Sequence, residues 1–222
     1  MSFLSVFDVI GPNMVGPSSS HTAGAVRIAL LARKMISGKI KKAKFILYGS
    51  FANTYRGHGT DKALVGGIMN FQTDDLRIRD SFKLAKEAGI DFSFEINTQE
   101  KDTHPNTADI ILTNENDMEI TVRGESLGGG KVRISRINKV DVDFTGDYCT
   151  IIVIHQDIKG VVAHITRILS ECDVNIAFMK LFREEKGGTA YTVVESDEKI
   201  SPKVLGEIKK NPNVKETMLI EM

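Results

Sequence analysis

The sequence predicts an α/β (α+β) chain of two domains, and three observations predict it. β-Branched strand-like runs and helix-length apolar stripes mix through the first two thirds of the chain. The last third carries its own order, β-α-β-β-α-β. Lys139 to Gly146 between them reads as a linker, which places the domains at 1–147 and 148–222.

In the first domain, Gly16 to Gly24 reads Gly-Pro-Ser-Ser-Ser-His-Thr-Ala-Gly, just before an apolar helix-length run, Ala23 to Ile36. Ser20 or His21 falls near the N-cap, where free N–H groups and the positive end of the helix dipole favour a carboxylate or phosphate. Ala43 to Tyr48 is a strand, and Asp61 to Phe71 a helix despite Gly66-Gly67. Asp80 to Ala88 is a helix closed by Gly89, and Asp91 to Ile96 a strand. Ala108–Thr113, Met118–Glu125 and Lys131–Asn138 are consecutive antiparallel strands, the last two joined by Gly128-Gly129-Gly130.

In the second domain, Thr150 to Ile154 is a strand ending at His155, followed by a polar loop closing on Gly160. Val161, Val162, Ile165, Ile168, Leu169 and Cys172 form a helical stripe. Asn175–Arg183 and Thr189–Glu195 are strands around a Glu184–Gly188 turn. Ser201-Pro202 starts an amphipathic helix by N-cap and proline, Lys210-Asn211-Pro212-Asn213 stops it, and Val214–Ile220 is the last strand. The result is a ferredoxin-like plait, one antiparallel sheet with two helices on one face.

Composition sets limits. Lys plus Arg and Asp plus Glu both count 29, with no basic stripe, so nucleic acid is not an expected partner. Met1 to Asp8 lacks a basic n-region, and no apolar stretch approaches the roughly 20 residues that span a bilayer, so a cytoplasmic protein is expected. Cys149 and Cys172 are the only cysteines and do not form a Cys-x-x-Cys pair; alone they cannot ligate an iron–sulfur cluster.

Two further polar clusters accompany the first. Gly57-His58-Gly59-Thr60-Asp61 sets an imidazole between glycines, with Thr60 or Asp61 expected to cap the next helix. Thr103-His104-Pro105-Asn106 sets another beside a carboxamide. Three of the five histidines thus lie in glycine-, proline- or hydroxyl-rich loops of one domain, which points to a common site. Their spacing is not that of a metal site, the serines form no Gly-x-Ser-x-Gly elbow, and the Gly pairs and triplets are not phosphate fingerprints.

The plait, with its loop ending in Gly160 and the stretch Asp173-Val174-Asn175-Ile176, resembles the ACT domain family over about Tyr148–Met222. That resemblance implies a regulatory module that pairs through its sheet, with His155, Asp157 and Gly160 facing an amino-acid effector and Asn175 nearby. Across the whole chain, Gly-Pro-Ser-Ser-Ser-His-Thr, the Gly49–Asp61 run Gly-Ser-Phe-Ala-x-Thr-x-x-Gly-His-Gly-Thr-Asp, and His104-Pro105-Asn106 resemble the β subunits of iron–sulfur-dependent bacterial L-serine dehydratases. The resemblance implies an allosteric-substrate-binding-like first domain, conversion of L-serine to pyruvate and ammonia, and a [4Fe-4S] cluster held by a separate α subunit. The cluster's open iron would act as Lewis acid on the serine hydroxyl, with no metal ligand from this chain.

In that mechanism His58, backed by Thr60 and Asp61, is the first candidate for the base that takes the α-proton, with His21 and His104 as the others. Ser18, Ser19, Ser20 and Thr22 would bind the substrate carboxylate or close over the cluster. His104 and Asn106 would orient substrate. A stand-alone amino-acid-binding regulatory protein without catalysis is the alternative, because both domains also resemble sensor modules of serine-biosynthetic dehydrogenases.

Overall fold

The structure is a computed structural model that describes residues 12–221; the reading of Met1–Asp8 lies outside them. The chain divides into two compact units, one ending at Asn138 and the other starting at Lys139.

The first unit is a sheet covered by helices. Its strands are β1 (Ile40–Tyr48), β2 (Asp91–Asn97), β3 (Thr107–Asn114), β4 (Glu119–Gly128) and β5 (Lys131–Ile137), in the order β2-β1-β3-β4-β5. Only the β1–β2 pair is parallel; β3, β4 and β5 follow as the expected antiparallel run. A π-type turn, Ser19–Ala23, leads into α1 (Gly24–Lys34), which packs on α3 (Thr60–Ile68) and on β4 and β5. Val26, Ile28, Leu30 and Leu31 of α1 are all buried, so the helix is apolar nearly all round, as a helix between two layers must be. Each such side chain contributes about 1.5–3 kcal/mol on leaving water. The α1–α3 approach depends on Gly67, where an added Cβ would lie 2.5 Å from Ala29 Cβ and 2.6 Å from the Val26 carbonyl oxygen.

Two short helices complete the unit. The six-residue α2 (Gly49–Thr54) follows β1 directly and was not expected from sequence. The last, α4 (Ser81–Glu87), is preceded by a 3₁₀ turn at Leu76–Asp80 and followed by Gly89 at φ +75°.

The second unit opens with β6 (Val140–Phe144), which corrects the expected Lys139–Gly146 linker. Val140, Val142 and Phe144 are buried while Asp141 and Asp143 are exposed, the period-2 pattern of a half-buried strand. Lys180 Nζ meets Asp143 Oδ2 at 2.6 Å. The rest is the expected plait: β7 (Cys149–Gln156), α5 (Val161–Glu171), β8 (Phe178–Arg183), β9 (Thr189–Ser196), α6 (Pro202–Lys209) and β10 (Val214–Ile220). Its strands lie in the order β10-β7-β9-β8, and every pair is antiparallel. Ile151, Val153, Ile165, Leu169, Val194 and Ile208 fill the core between sheet and helices. Among the described residues no helix is long and apolar enough to cross a membrane.

Candidate active site

The helix start differs from expectation in register. Ser18 is the N-cap, extended at φ −141° and ψ 125°, and its Oγ accepts from the His21 N–H at 3.1 Å. Ser20 and His21 therefore fall inside the first turn instead of capping it. The His21 ring is held at both nitrogens: Nδ1 lies 3.2 Å from Ser20 Oγ and 3.5 Å from Ser18 Oγ, and Nε2 lies 2.9 Å from Ser50 Oγ.

The second cluster meets the first directly. The His21 and His58 rings lie 4.7 Å apart between centroids, and Phe51 abuts His21 edge-on at 5.3 Å. Thr22 Oγ1 donates to the His58 carbonyl oxygen at 3.1 Å, tying the start of α1 to the glycine-flanked loop. Burial first, and the neighbouring His58 second, lower the His21 pKa from its ordinary value, so His21 is neutral near pH 7. The expected cap at the next helix is corrected: Gly59, left-handed at φ +68°, is the N-cap of α3. Thr60 Oγ1 is buried without a partner, and Asp61 Oδ1 accepts from the Lys62 N–H at 2.8 Å. Burial raises the Asp61 pKa.

The third cluster joins through backbone. Pro105 oxygen accepts from the N–H groups of Ser50 at 2.7 Å and Phe51 at 3.2 Å. Gly49 is obligatory there: it sits at φ +51°, and a Cβ would lie 2.7 Å from that same oxygen. His104 Nδ1 accepts from the Asn106 N–H at 3.2 Å, so this imidazole organises its own loop. Asn106 also bonds to β4, its backbone oxygen accepting from Ser126 N–H at 2.9 Å.

Buried polar atoms are seldom left unpaired. Here His58 Nδ1, Thr60 Oγ1, Asn106 Oδ1 and Ser126 Oγ all are, and they come from these clusters and the strand that meets them. His58 also lines a cavity of about 320 Å³, together with Thr22, Arg56, Lys62 and Arg79. The arrangement offers a paired imidazole, one ring fixed by hydroxyls and the other from a residue that lines a cavity, its Nδ1 buried and unpartnered.

Sequence reasoning missed Ser50, although it lies inside the quoted Gly49–Asp61 motif. Its hydroxyl fixes the His21 ring, and its N–H links that ring to the Pro105 loop. Ser50→Ala is expected to lower turnover about 2–10-fold, the worth of one net hydrogen bond, with the chain's melting temperature little changed. Steady-state kinetics alongside a thermal melt checks this.

Residues 4–136 match the serine dehydratase beta chain family, and residues 150–213 match the ACT domain. The chain is 40% identical over 214 residues to the probable L-serine dehydratase, beta chain, of Bacillus subtilis, covering 96% of each chain. It is 40% identical over 201 residues to the L-serine dehydratase, beta chain, of Peptoniphilus asaccharolyticus, covering 90% of each. The chain belongs to the serine dehydratase beta chain family. A D-3-phosphoglycerate dehydrogenase of Bacillus subtilis is 30% identical over 162 residues, 72% of this chain but 30% of that protein.

The donor set of this chain does not fit a resident cluster. Among the described residues no three His, Cys, Asp or Glu side chains gather as they would around a metal ion. Cys149 and Cys172 both lie in the second unit, away from the first unit's histidines in sequence.

In the ACT unit the four loop residues fare differently. His155 lies at the expected strand end and is 1% exposed, with Nδ1 on the Gln156 oxygen at 2.7 Å and Nε2 on Thr192 Oγ1 at 2.8 Å, so it faces the interior and not the loop. Both its ring nitrogens are thus used inside the unit. Asp157 Oδ2 accepts from the Gly187 N–H at 3.0 Å and from Arg183 Nη1 at 3.2 Å, clasping the β8–β9 turn. The Gly187 N–H and Arg183 lower its pKa. Gly160, at φ +91°, caps α5, and Asn175 is exposed ahead of β8, which starts at Phe178 instead of Asn175.

Proposed function

We propose that this chain is the β subunit of an enzyme that converts L-serine to pyruvate and ammonia, acting with a separate α subunit that holds a [4Fe-4S] cluster. The observation that carries the reading is the His21–His58 pair beside its cavity, in a chain 40% identical over 96% of its length to a protein named as an L-serine dehydratase beta chain. Loss of water from serine requires removal of the Cα proton and departure of the Cβ hydroxyl. Imidazole suits the first task at neutral pH.

His58 is the base, because its Nδ1 has no partner and its ring lines the cavity. His21, kept neutral and fixed by Ser18, Ser20 and Ser50, holds the His58 ring in place. Asn106 Oδ1 and Thr60 Oγ1, both buried and unpartnered, support a role for these residues in orienting substrate groups, although neither lines the cavity beside His58. The cluster, when bound through the α subunit's ligands, supplies Lewis acidity toward the leaving hydroxyl.

The ACT unit senses an amino acid at the loop of Asp157 and Gly160, with Asn175 nearby. Copies pair along β8, an edge strand whose Phe178 and Leu181 are 49% and 47% exposed. The assembly works in the cytoplasm, with neither nucleic acid nor membrane as partner.

The likeness to a D-3-phosphoglycerate dehydrogenase over 72% of the chain favours the second reading, an amino-acid-binding regulatory protein without catalysis. Anaerobic co-expression with a candidate cysteine-rich α chain decides between them. The expected outcome is an air-sensitive complex that forms pyruvate from L-serine, while this chain alone forms none and carries iron and sulfide at background. A complex that binds L-serine but forms no pyruvate overturns the enzyme reading.

A further inference from the structure

The hydroxyls at the start of α1 were expected to seat the substrate carboxylate, yet those of Ser18, Ser20 and Thr22 are engaged within the clusters and Ser19 does not line the cavity beside His58. Ser18 accepts from the His21 N–H, Ser18 and Ser20 face His21 Nδ1, and Thr22 donates to the His58 oxygen. Of these residues only Thr22 reaches the cavity beside His58. Cations line it instead.

We propose that this cavity seats the carboxylate of a small amino acid, with Arg56, Lys62 and Arg79 as its counter-charges. The identity of the ligand rests on the serine dehydratase reading above; the site itself rests on the charge and size of the cavity. The chain as a whole is balanced, 29 basic against 29 acidic residues, yet three basic side chains converge here. None of the three makes an ion pair among the described residues, whereas Arg77, beside Arg79 in sequence, is paired with Asp75 at 2.6 Å. The acid whose field reaches Arg56 and Lys62 is Asp61, and its carboxylate is turned to its own helix, accepting from the Lys62 N–H.

The cavity, about 320 Å³, is of a size for one small amino acid and too small for a dinucleotide. His58 forms part of the same wall, with its buried Nδ1 unpartnered. A carboxylate held by the three cations is therefore anchored in the cavity that the base borders. Arg56, Lys62 and Arg79 are all exposed, so they would meet the carboxylate at the surface of the unit, where guanidinium groups grip a carboxylate by paired hydrogen bonds. The three cations do for the ligand what the serine hydroxyls, which do not line this cavity, do not.

The test measures charge variants in two ways. In the assembled enzyme, Arg79→Gln, Arg56→Gln and Lys62→Gln are each expected to raise KM for L-serine roughly 5–20-fold, a charged hydrogen bond discounted for the exposure of these side chains, with kcat falling less than KM rises. The full chain alone is titrated with L-serine, L-serinamide and inorganic phosphate while the Gly57 and Gly59 amides are followed by NMR. L-serine should shift both amides, serinamide neither, and phosphate should bind more weakly than L-serine. The same three variants should weaken the L-serine shifts. Unchanged KM in all three variants overturns the proposal while leaving the enzyme reading intact, as does equal binding of serine and serinamide. Phosphate binding tighter than L-serine also overturns it. If the wild-type complex forms no pyruvate, the enzyme reading falls and the titration alone decides the site.

Discussion

His58→Ala in the assembled enzyme is expected to lower kcat by roughly 10²–10⁴-fold, the usual cost of losing a general base, equivalent to about 3–5 kcal/mol of transition-state stabilisation. The change removes a ring that touches His21 and borders the cavity, but the backbone contact survives: Thr22 Oγ1 binds the His58 carbonyl oxygen, not its side chain. The complex should therefore assemble with its cluster in place, measurable by its visible spectrum. His164→Ala serves as the control. That residue lies in the ACT unit, bonded to the Ile208 oxygen at 3.1 Å and to Arg167, and its loss should leave turnover near wild type. Normal turnover by His58→Ala, with turnover abolished in His21→Ala, would move the base to the neighbouring ring. Normal turnover in both would remove the site altogether.

Why these two imidazoles meet was partly legible in the residues. The hydroxyl-rich helix start and the Gly57-His58-Gly59 loop stand out because their residue types serve no packing purpose. Their meeting depends on α1 lying on α3, and that depends on Gly67, whose reason only a neighbouring helix supplies. The parallel β1–β2 pair and the six-residue α2 carried no local signal, being a long-range pairing and a helix too short to show a period. With α2 went Ser50, although it sat inside a motif already recognised.

The β6 strand is a different kind of miss. Val140, Val142 and Phe144 alternate with Asp141 and Asp143 as a strand should, but the stretch is five residues long and reads equally as a charged connector. At Thr60 the residue type suggested a cap, whereas the left-handed Gly59 already provided one. The strand end at His155 was legible, but the inward direction of its ring was not, because that depends on a partner from another strand. Its Thr192 partner lies on the adjacent strand, far along the chain.

Arg123→Ala is expected to destabilise the first unit by about 3–5 kcal/mol, because it strands the buried Asp109 carboxylate that the guanidinium now pairs. Arg123 is 6% exposed and stands directly across β3–β4 from Asp109, itself 9% exposed. Its Nε and Nη2 reach the Asp109 oxygens at 2.6 and 2.8 Å, and its Nη1 reaches Glu100 Oε1 at 2.6 Å. The Tyr48 hydroxyl closes the network, donating to Asp109 Oδ2 at 2.6 Å and accepting from Arg123 Nη2 at 2.9 Å. Burial, with Asp109 beside it, pushes the Tyr48 phenol up to about 12, and Asp109 holds the Arg123 guanidinium above its ordinary range. Tyr48 is also the N-cap of α2, the helix that presents Ser50 to His21. Loss of Arg123 should therefore reach the site, lowering turnover as well as the urea midpoint of the full chain. Arg123→Met combined with Asp109→Leu removes both buried charges and should recover most of the stability, since Glu100 at 41% side-chain exposure can turn to water. Recovery of stability without recovery of turnover would assign the network a positioning role at α2. A single variant that loses less than about 1 kcal/mol would mean that water already screens these charges, against their burial in the sheet.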